Sequence, residues 1–305
     1  MDRALLATLA CVIAAACWAA NAVVAAEAFR RCISPEELAA ARVVVALVPL
    51  AAWMAVARRD LLVPVRAALP SMVAFGASIA AVNVAYYVAI SRIPVGTAIS
   101  LQYTAPVLIL VATALLTRMT PSRAVWAAAA STLIGAALVS GAISGDGGRL
   151  DGIGVGAGIA SAIAFAAYLV LAELAGRRGS HPATTLLIGF CVATVIWIAV
   201  LPGWSWPFEL LADPQVSLRV LAIGLVGTLL PFALAVAALR WISPAVAAIA
   251  TTTEPVLAAL LAWLILDQAL GGAQLVGGAL VIGGVLAAQL ARRPDPAATP
   301  AELAP

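Results

Sequence analysis

The residues best equipped for chemistry stand inside apolar runs rather than in loops. Glu254 lies within Thr251-Thr252-Thr253-Glu254-Pro255, and Gln102-Tyr103-Thr104-Ala105-Pro106 holds the matching place in an earlier run. A proline inside a helix removes one backbone hydrogen bond and frees the carbonyl four residues back, here that of Gln102 and of Thr251. In a bilayer such a carbonyl persists only where side chains or water satisfy it. Either both clusters line a polar, kinked cavity, or they are kinks whose threonine hydroxyls bond their own backbone. Their recurrence in two runs favours the cavity. Glu254 is the acidic residue deepest in any apolar run, where a charged carboxylate costs about 2.5–3.5 kcal/mol on insertion scales. It needs a partner or a neutralising proton. It therefore handles a proton or a substrate cation, or it ties helices together.

Arg42 is the matching buried cation. It can snorkel outward, bond carbonyls exposed at a helix break, or meet a substrate carboxylate, and anchoring fits its place near a run end. Trp18 and Asn21 are three residues apart and share one helix face, as do Phe165 and Tyr168. Asn83 precedes Tyr86 and Tyr87 by three and four residues, giving a third such face. Aromatic and amide groups turned into a bundle suit a substrate that is apolar with a few polar handles. With Gln102, Tyr103, Thr252 and Glu254, these residues make up the candidate substrate-binding set.

Other chemistries lack their residues. The run Gly152-Ile153-Gly154-Val155-Gly156 imitates a dinucleotide loop, but an apolar span follows and no strand precedes it. Cys11, Cys17, Cys32 and Cys191 have no metal-ligand spacing, and His181 sits before Pro182 in a short polar stretch. No hydrolytic dyad or clustered carboxylates occur, so neither catalytic residues, metal nor cofactor is expected. All 17 basic residues are arginine and lie singly or in pairs, which leaves no basic face for nucleic acid.

The elements that must position these residues follow from composition. The chain has 305 residues, 64% hydrophobic and 10% charged, far from the roughly 25% charged of a soluble domain. An α-helical integral membrane protein is the expected class. Arginine, proline and glycine breaks mark ten spans, five in residues 4–143 and five in 150–291, with Ser144-Gly145-Asp146-Gly147-Gly148 as the joint and 292–305 as a disordered cytoplasmic tail. Residues 1–28 resemble a signal peptide, yet the run is too long and recurs internally, so it reads as a retained first helix.

The halves match. Trp18-Ala19-Ala20-Asn21 before Arg30-Arg31 aligns with Phe165-Ala166-Ala167-Tyr168 before Arg177-Arg178, at an offset of 147. Thr104-Ala105-Pro106 aligns with Thr253-Glu254-Pro255 at an offset of 149, and a two-residue shift in one loop is expected to reconcile the two. Five spans per half make the second half inverted. With both termini cytoplasmic, arginines divide eleven inside against five outside. Inverted repeats place a substrate site near the midplane and permit alternating access by rocking one half on the other.

At this point the chain resembles the EamA-type transporters of the drug/metabolite transporter superfamily, over roughly residues 9–141 and 155–290. The likeness is carried by Glu254-Pro255-Val256-Leu257-Ala258-Ala259-Leu260-Leu261-Ala262-Trp263 through Gly277-Gly278-Ala279-Leu280, with Trp18 and Arg42 in support. Asp267 departs from the Gly-Glu that usually ends this helix in the family, and Thr117-Arg118 departs at the matching place. The resemblance implies a ten-helix carrier of small metabolites, often for amino acid or drug efflux across the inner membrane, and the polar-aromatic faces lean towards amino acids, aromatic ones included. A small-molecule substrate and the lipid bilayer are its expected partners, and a monomer its expected form. The rival reading is a membrane-embedded enzyme acting on lipid or a lipid-linked substrate. Its longest loop, near 203–216, offers only Glu209 and Asp213 for such work.

Overall fold

Side chains announce where the helices start. Ser34 opens α2 (Pro35–Ala57) with a reciprocal capping box: its Oγ accepts from the Glu37 amide, and Glu37 Oε2 accepts from the Ser34 amide at 2.7 Å. Ser122, Asp151, His181, Asp213 and Ser243 cap later helices more simply, each side chain accepting one backbone amide, with proline in the first turn of those that follow His181, Asp213 and Ser243. Proline fits there because the first amides of a helix have no intrahelical acceptor.

A computed structural model describes residues 2–29, 34–90, 92–93, 95–118, 121–141, 151–201, 213–266 and 271–291; the joint at 144–148 and the tail at 292–305 lie outside these. The first half holds α1 (Arg3–Phe29), α2, α3 (Leu69–Ile90), α4 (Val95–Gln102), α5 (Ala105–Thr117) and α6 (Arg123–Val139). The second holds α7 (Gly152–Arg177), α8 (Pro182–Val200), α9 (Pro214–Gly224), α10 (Leu230–Ala238), α11 (Pro244–Thr251), α12 (Glu254–Leu266) and α13 (Gly272–Leu290). No strand occurs among the described residues. Pairs α4–α5, α9–α10 and α11–α12 each make one interrupted span. Among the described residues nine spans are long and apolar enough to cross a bilayer, and α6 is a shorter apolar tenth of 17 residues.

The packing follows the inverted repeat. α3 lies along α7, and its counterpart α9–α10 lies along α1; α3 also meets α8, as α9 meets α2. α6 and α13, the fifth spans of the two halves, pack on each other through small residues. A Cβ on Gly135 would sit 2.6 Å from the Gly277 carbonyl, and one on Gly277 would sit 2.7 Å from the Gly135 carbonyl. Ser131 Oγ donates to the Leu280 carbonyl across the same contact at 2.8 Å. Close backbone approach of this kind supplies the dispersion contacts that hold helices together where lipid offers no hydrophobic drive.

One element departs from the repeat. Residues Leu225–Leu229, between α9 and α10, form a single π-helical turn, whereas α3 is uninterrupted at the same place. A π turn closes its hydrogen bonds one residue later than an α turn, so it absorbs one extra residue. Gly76 and Gly224, which make equivalent close approaches to α8 and α2, are 148 residues apart. Beyond the π turn the separation becomes 149. The two-residue shift expected in a loop is thus divided: one residue enters before Gly224, and the other sits inside a membrane span.

Candidate substrate site between two interrupted helices

The fourth span breaks after Gln102 and the ninth after Thr251, each just before its proline, Pro106 or Pro255. The backbone crosses each gap by tight turns, with the Thr104 amide on the Leu101 carbonyl and the Thr253 amide on that of Ala250. Threonine hydroxyls fill in around them. Thr104 Oγ1 donates to Leu101, Thr251 Oγ1 to Ala248, Thr252 Oγ1 to Ile249 and Thr253 Oγ1 to Ala250, all carbonyls three residues back. Thr252 is fully buried and keeps its hydroxyl on its own helix.

The two gaps meet through Tyr103 and Glu254. Tyr103 Oη donates to Glu254 Oε2 at 2.6 Å, a hydrogen bond between halves of the chain that aligns no equivalent residues. Tyr103 corresponds to Thr252, and Glu254 to Ala105. The mirror contact would join Thr252 to Ala105, whose side chains are too short and too apolar to form it. The bond therefore exists on one side of the repeat axis alone. Glu254 is also the first residue of α12, where the unsatisfied amides of a helix N-terminus favour a negative group.

An aromatic wall stands between the halves. Trp18 on α1 meets Phe165 and Phe232 edge-on, at 6.4 and 5.7 Å between centroids. Phe165 and Tyr168 on α7 stack at 5.5 Å, and Tyr168 touches Phe75 and Phe232. Phe190 on α8 completes the group against Phe232. These geometries each add about 0.5–1.5 kcal/mol beyond the area they bury. Tyr168 is 1% exposed, and its hydroxyl has no hydrogen-bond partner among the described residues. A buried, unpaired hydroxyl costs about 1–3 kcal/mol unless something else satisfies it.

Asn21, one turn beyond Trp18, is in the same condition. Its Oδ1 is buried without a partner and packs against Gly227 in the π turn, which has no room for a Cβ there. Arg42 reaches the same turn from α2. It is 8% exposed; Nε donates to Thr228 Oγ1 at 2.8 Å and an Nη to the Gly227 carbonyl at 3.3 Å. Of the roles open to Arg42 in the sequence, this geometry is that of bonding backbone at a helix irregularity. Thr228 Oγ1 in turn donates to the Ile223 carbonyl five residues back.

The remaining candidates stand as follows. Asn83 Nδ2 donates to the Ile79 carbonyl of its own helix at 2.8 Å, and Tyr86 packs by Ala89, Ile93 and Ala98 at the far end of α3. Gln102 is half-buried at the α4 terminus. The Tyr87 side chain lies outside the described residues. Phe75, Phe190, Phe232 and Thr228 are contributors that pattern reading missed. A phenylalanine in an apolar span looks like any core residue, and the only trace of the π turn was the changing offset between halves. Among the described residues no group of three His, Cys, Asp or Glu side chains could hold a metal.

Ten apolar spans among the described residues, in two inverted halves whose interrupted helices meet at Tyr103 and Glu254, are those of a multi-pass membrane protein of the transporter class. The chain belongs to the EamA-like transporter family, whose model matches residues 5–141 and 152–288, and so to the drug/metabolite transporter superfamily. Among curated proteins it is similar to the threonine/homoserine exporter RhtA of Salmonella typhimurium (strain SL1344), 26% identical over 208 residues, covering 66% of this chain and 65% of that protein. RhtA of Escherichia coli (strain K12) is 27% identical over 202 residues, with the same coverage. The chain thus spans about 65% of the length of these relatives. An uncharacterized transporter of Synechocystis sp. is 34% identical over 119 residues, 39% of this chain and 36% of that one. A solved crystal structure shares the fold at a TM-score of 0.76 and 23% identity, covering 93% of this chain and 96% of that chain.

Proposed function

We propose that the protein is a secondary carrier that exports small metabolites, amino acids foremost, across the inner membrane by alternating access. The observation that carries this reading is the Tyr103–Glu254 hydrogen bond at the meeting of the two interrupted spans. A carboxyl at membrane depth needs a cation beside it while charged. A proton or a substrate ammonium supplies that cation, and Tyr103 holds one oxygen in place while the other stays open to it. At the partner break α5 begins with Ala105 where α12 has Glu254, so that helix N-terminus carries no carboxylate of its own and suits the carboxylate of an amino acid. The aromatic wall accepts the side chain.

The similarity to proteins named as threonine/homoserine exporters supports the amino-acid class. The arginine distribution supports cytoplasmic termini. Because the interrupted spans belong to different halves, rocking one half on the other makes and breaks the Tyr103–Glu254 bond, which couples the cation to the direction of opening. Glu254→Gln tests this. Glutamine keeps the shape and accepts the Tyr103 bond but cannot titrate. Gradient-driven efflux of amino acids from loaded vesicles should be lost while insertion and melting temperature stay near those of the unaltered chain. Undiminished efflux at every pH would remove Glu254 from coupling and leave it as a helix tie.

A further inference from the structure

A depression lies at the end of the bundle where α1 begins and α10 ends, apart from the Tyr103 and Glu254 side chains, neither of which lines it. It holds about 190 Å³. Ala7 and Ala10 on α1 and Ala237 and Ala238 on α10 form a shallow floor, and Leu6, Leu234 and Trp241 stand as walls. Leu6 is 45% exposed and Trp241 43%, so the trough opens outward rather than into the bundle. Its sides are apolar, but its rim is not. Arg3 lines the mouth, and the Arg240 guanidinium lies 5.2 Å above the Trp241 ring. Both arginines are exposed. Asp2, the nearest acidic residue in sequence, has Oδ1 turned onto the Ala4 amide at 3.1 Å as a helix cap.

We propose that this trough binds an anionic glycerophospholipid, one acyl chain lying on the alanine floor and the phosphate held between Arg3 and Arg240. Each part of the trough matches a part of that molecule. An alanine floor between two helices leaves an apolar furrow open to a hydrocarbon chain, and none of the described residues fills it. Tryptophan prefers the headgroup level of a bilayer, which sets the depth at which the chain enters. Basic groups between helix ends recognise anionic headgroups where the charge and the apolar slot lie side by side. The two helices come from different halves of the repeat, so the lipid bridges them at the end that carries the amino terminus.

Native mass spectrometry of the full chain tests this, after exchange into mixtures of phosphatidylglycerol and phosphatidylcholine. The unaltered protein should retain one phosphatidylglycerol in preference to phosphatidylcholine. The double variant Arg3→Ala, Arg240→Ala should lose that preference about tenfold. Ala10→Leu fills the floor without touching charge and should lower retention of the same lipid; Ala237→Leu repeats the test from the other helix should the first variant fold poorly. Arg66→Ala, on the same end but outside the trough, should change nothing, and inorganic phosphate should not compete. Retention that ignores the two rim arginines, or falls equally with Arg66→Ala, would mean diffuse surface charge and overturn the site. Competition by free phosphate would overturn it too, by showing an anion site without a lipid.

Discussion

The second span of each half packs against the third span of the other, and the two interfaces are built differently. α2 meets α9 and the π turn; α8 meets α3. Their registers agree: Pro35 matches Pro182, Arg42 matches Gly189 and Val45 matches Val192. Both contacts are equally tight in one respect. Gly224 has no room for a Cβ against Val45, and a Cβ on Gly76 would lie 2.7 Å from Val192 Cβ. The chemistry then diverges. On one side Arg42 is bonded to Thr228 and Gly227, while on the other Gly189 gives way to the Phe75 ring and brings its carbonyl within 2.6 Å of a Cβ on Gly76. Duplication specifies which surfaces meet. It does not specify what fills them.

The largest effect is expected on the glycine side. Gly76→Ala would press a methyl on the Gly189 backbone, which cannot rotate away, and should cost about 3 kcal/mol, the upper end of overpacking. A melting temperature equal to that of the unaltered chain would show that α3 and α8 are looser than the structure has them. The arginine side should respond next. Arg42→Met keeps the stem but leaves the Gly227 carbonyl without this donor, for a loss of about 1–2 kcal/mol. Arg42→Lys should recover little, because an ammonium cannot bond Thr228 and Gly227 with a planar fork. If lysine restores full stability, the π turn needs only charge.

The smallest effect separates the caps that open these two helices. Ser34 heads α2 with a capping box, whereas His181 heads α8 with Nδ1 accepting the Ala183 amide at 3.2 Å. Burial holds the His181 imidazole below its usual range, and the Arg58 and Arg240 guanidiniums push the same way against a weaker pull from Asp60. A lowered value in the folded state means that this contribution is complete above the unfolded pKa of about 6.5 and lost as pH falls through the folded value. Acidification from about pH 7 to about pH 5 should therefore lower the melting temperature of the unaltered chain by more than that of His181→Asn, whose amide caps without titrating. Parallel decline in the two proteins would assign the loss to other groups.

Much of the fold was legible in the sequence because its signals are strong and repeated. Long apolar runs count the spans, and proline in two of them locates the breaks at Gln102 and Thr251 to within a residue or two. The site was less legible. Tyr103 and Glu254 each stood out, yet the repeat aligns them with Thr252 and Ala105 rather than with each other, so alignment points away from the contact they make. Thr252 and Asn83 are polar residues in apolar spans, which marks them in a sequence, but both spend a donor on their own helix. Gly277 and Gly284 sit against α6 as small residues suggest, while Gly283 faces open space. Helical phase decided between those glycines, and it depends on a crossing angle that no local pattern encodes.

The extra residue in the π turn also bears on populations. Were the two halves identical, opening to one side would be the inverted copy of opening to the other, and the two states would have equal free energy by symmetry. Leu225–Leu229 removes that equality, because the turn and its Arg42 bonds have no counterpart in α3. A difference of about 1.4 kcal/mol between the states is enough to favour one tenfold. In the proposed carrier a single inserted residue, far smaller than any domain or ligand, thereby joins the one-sided Tyr103–Glu254 bond in setting the two directions of opening apart.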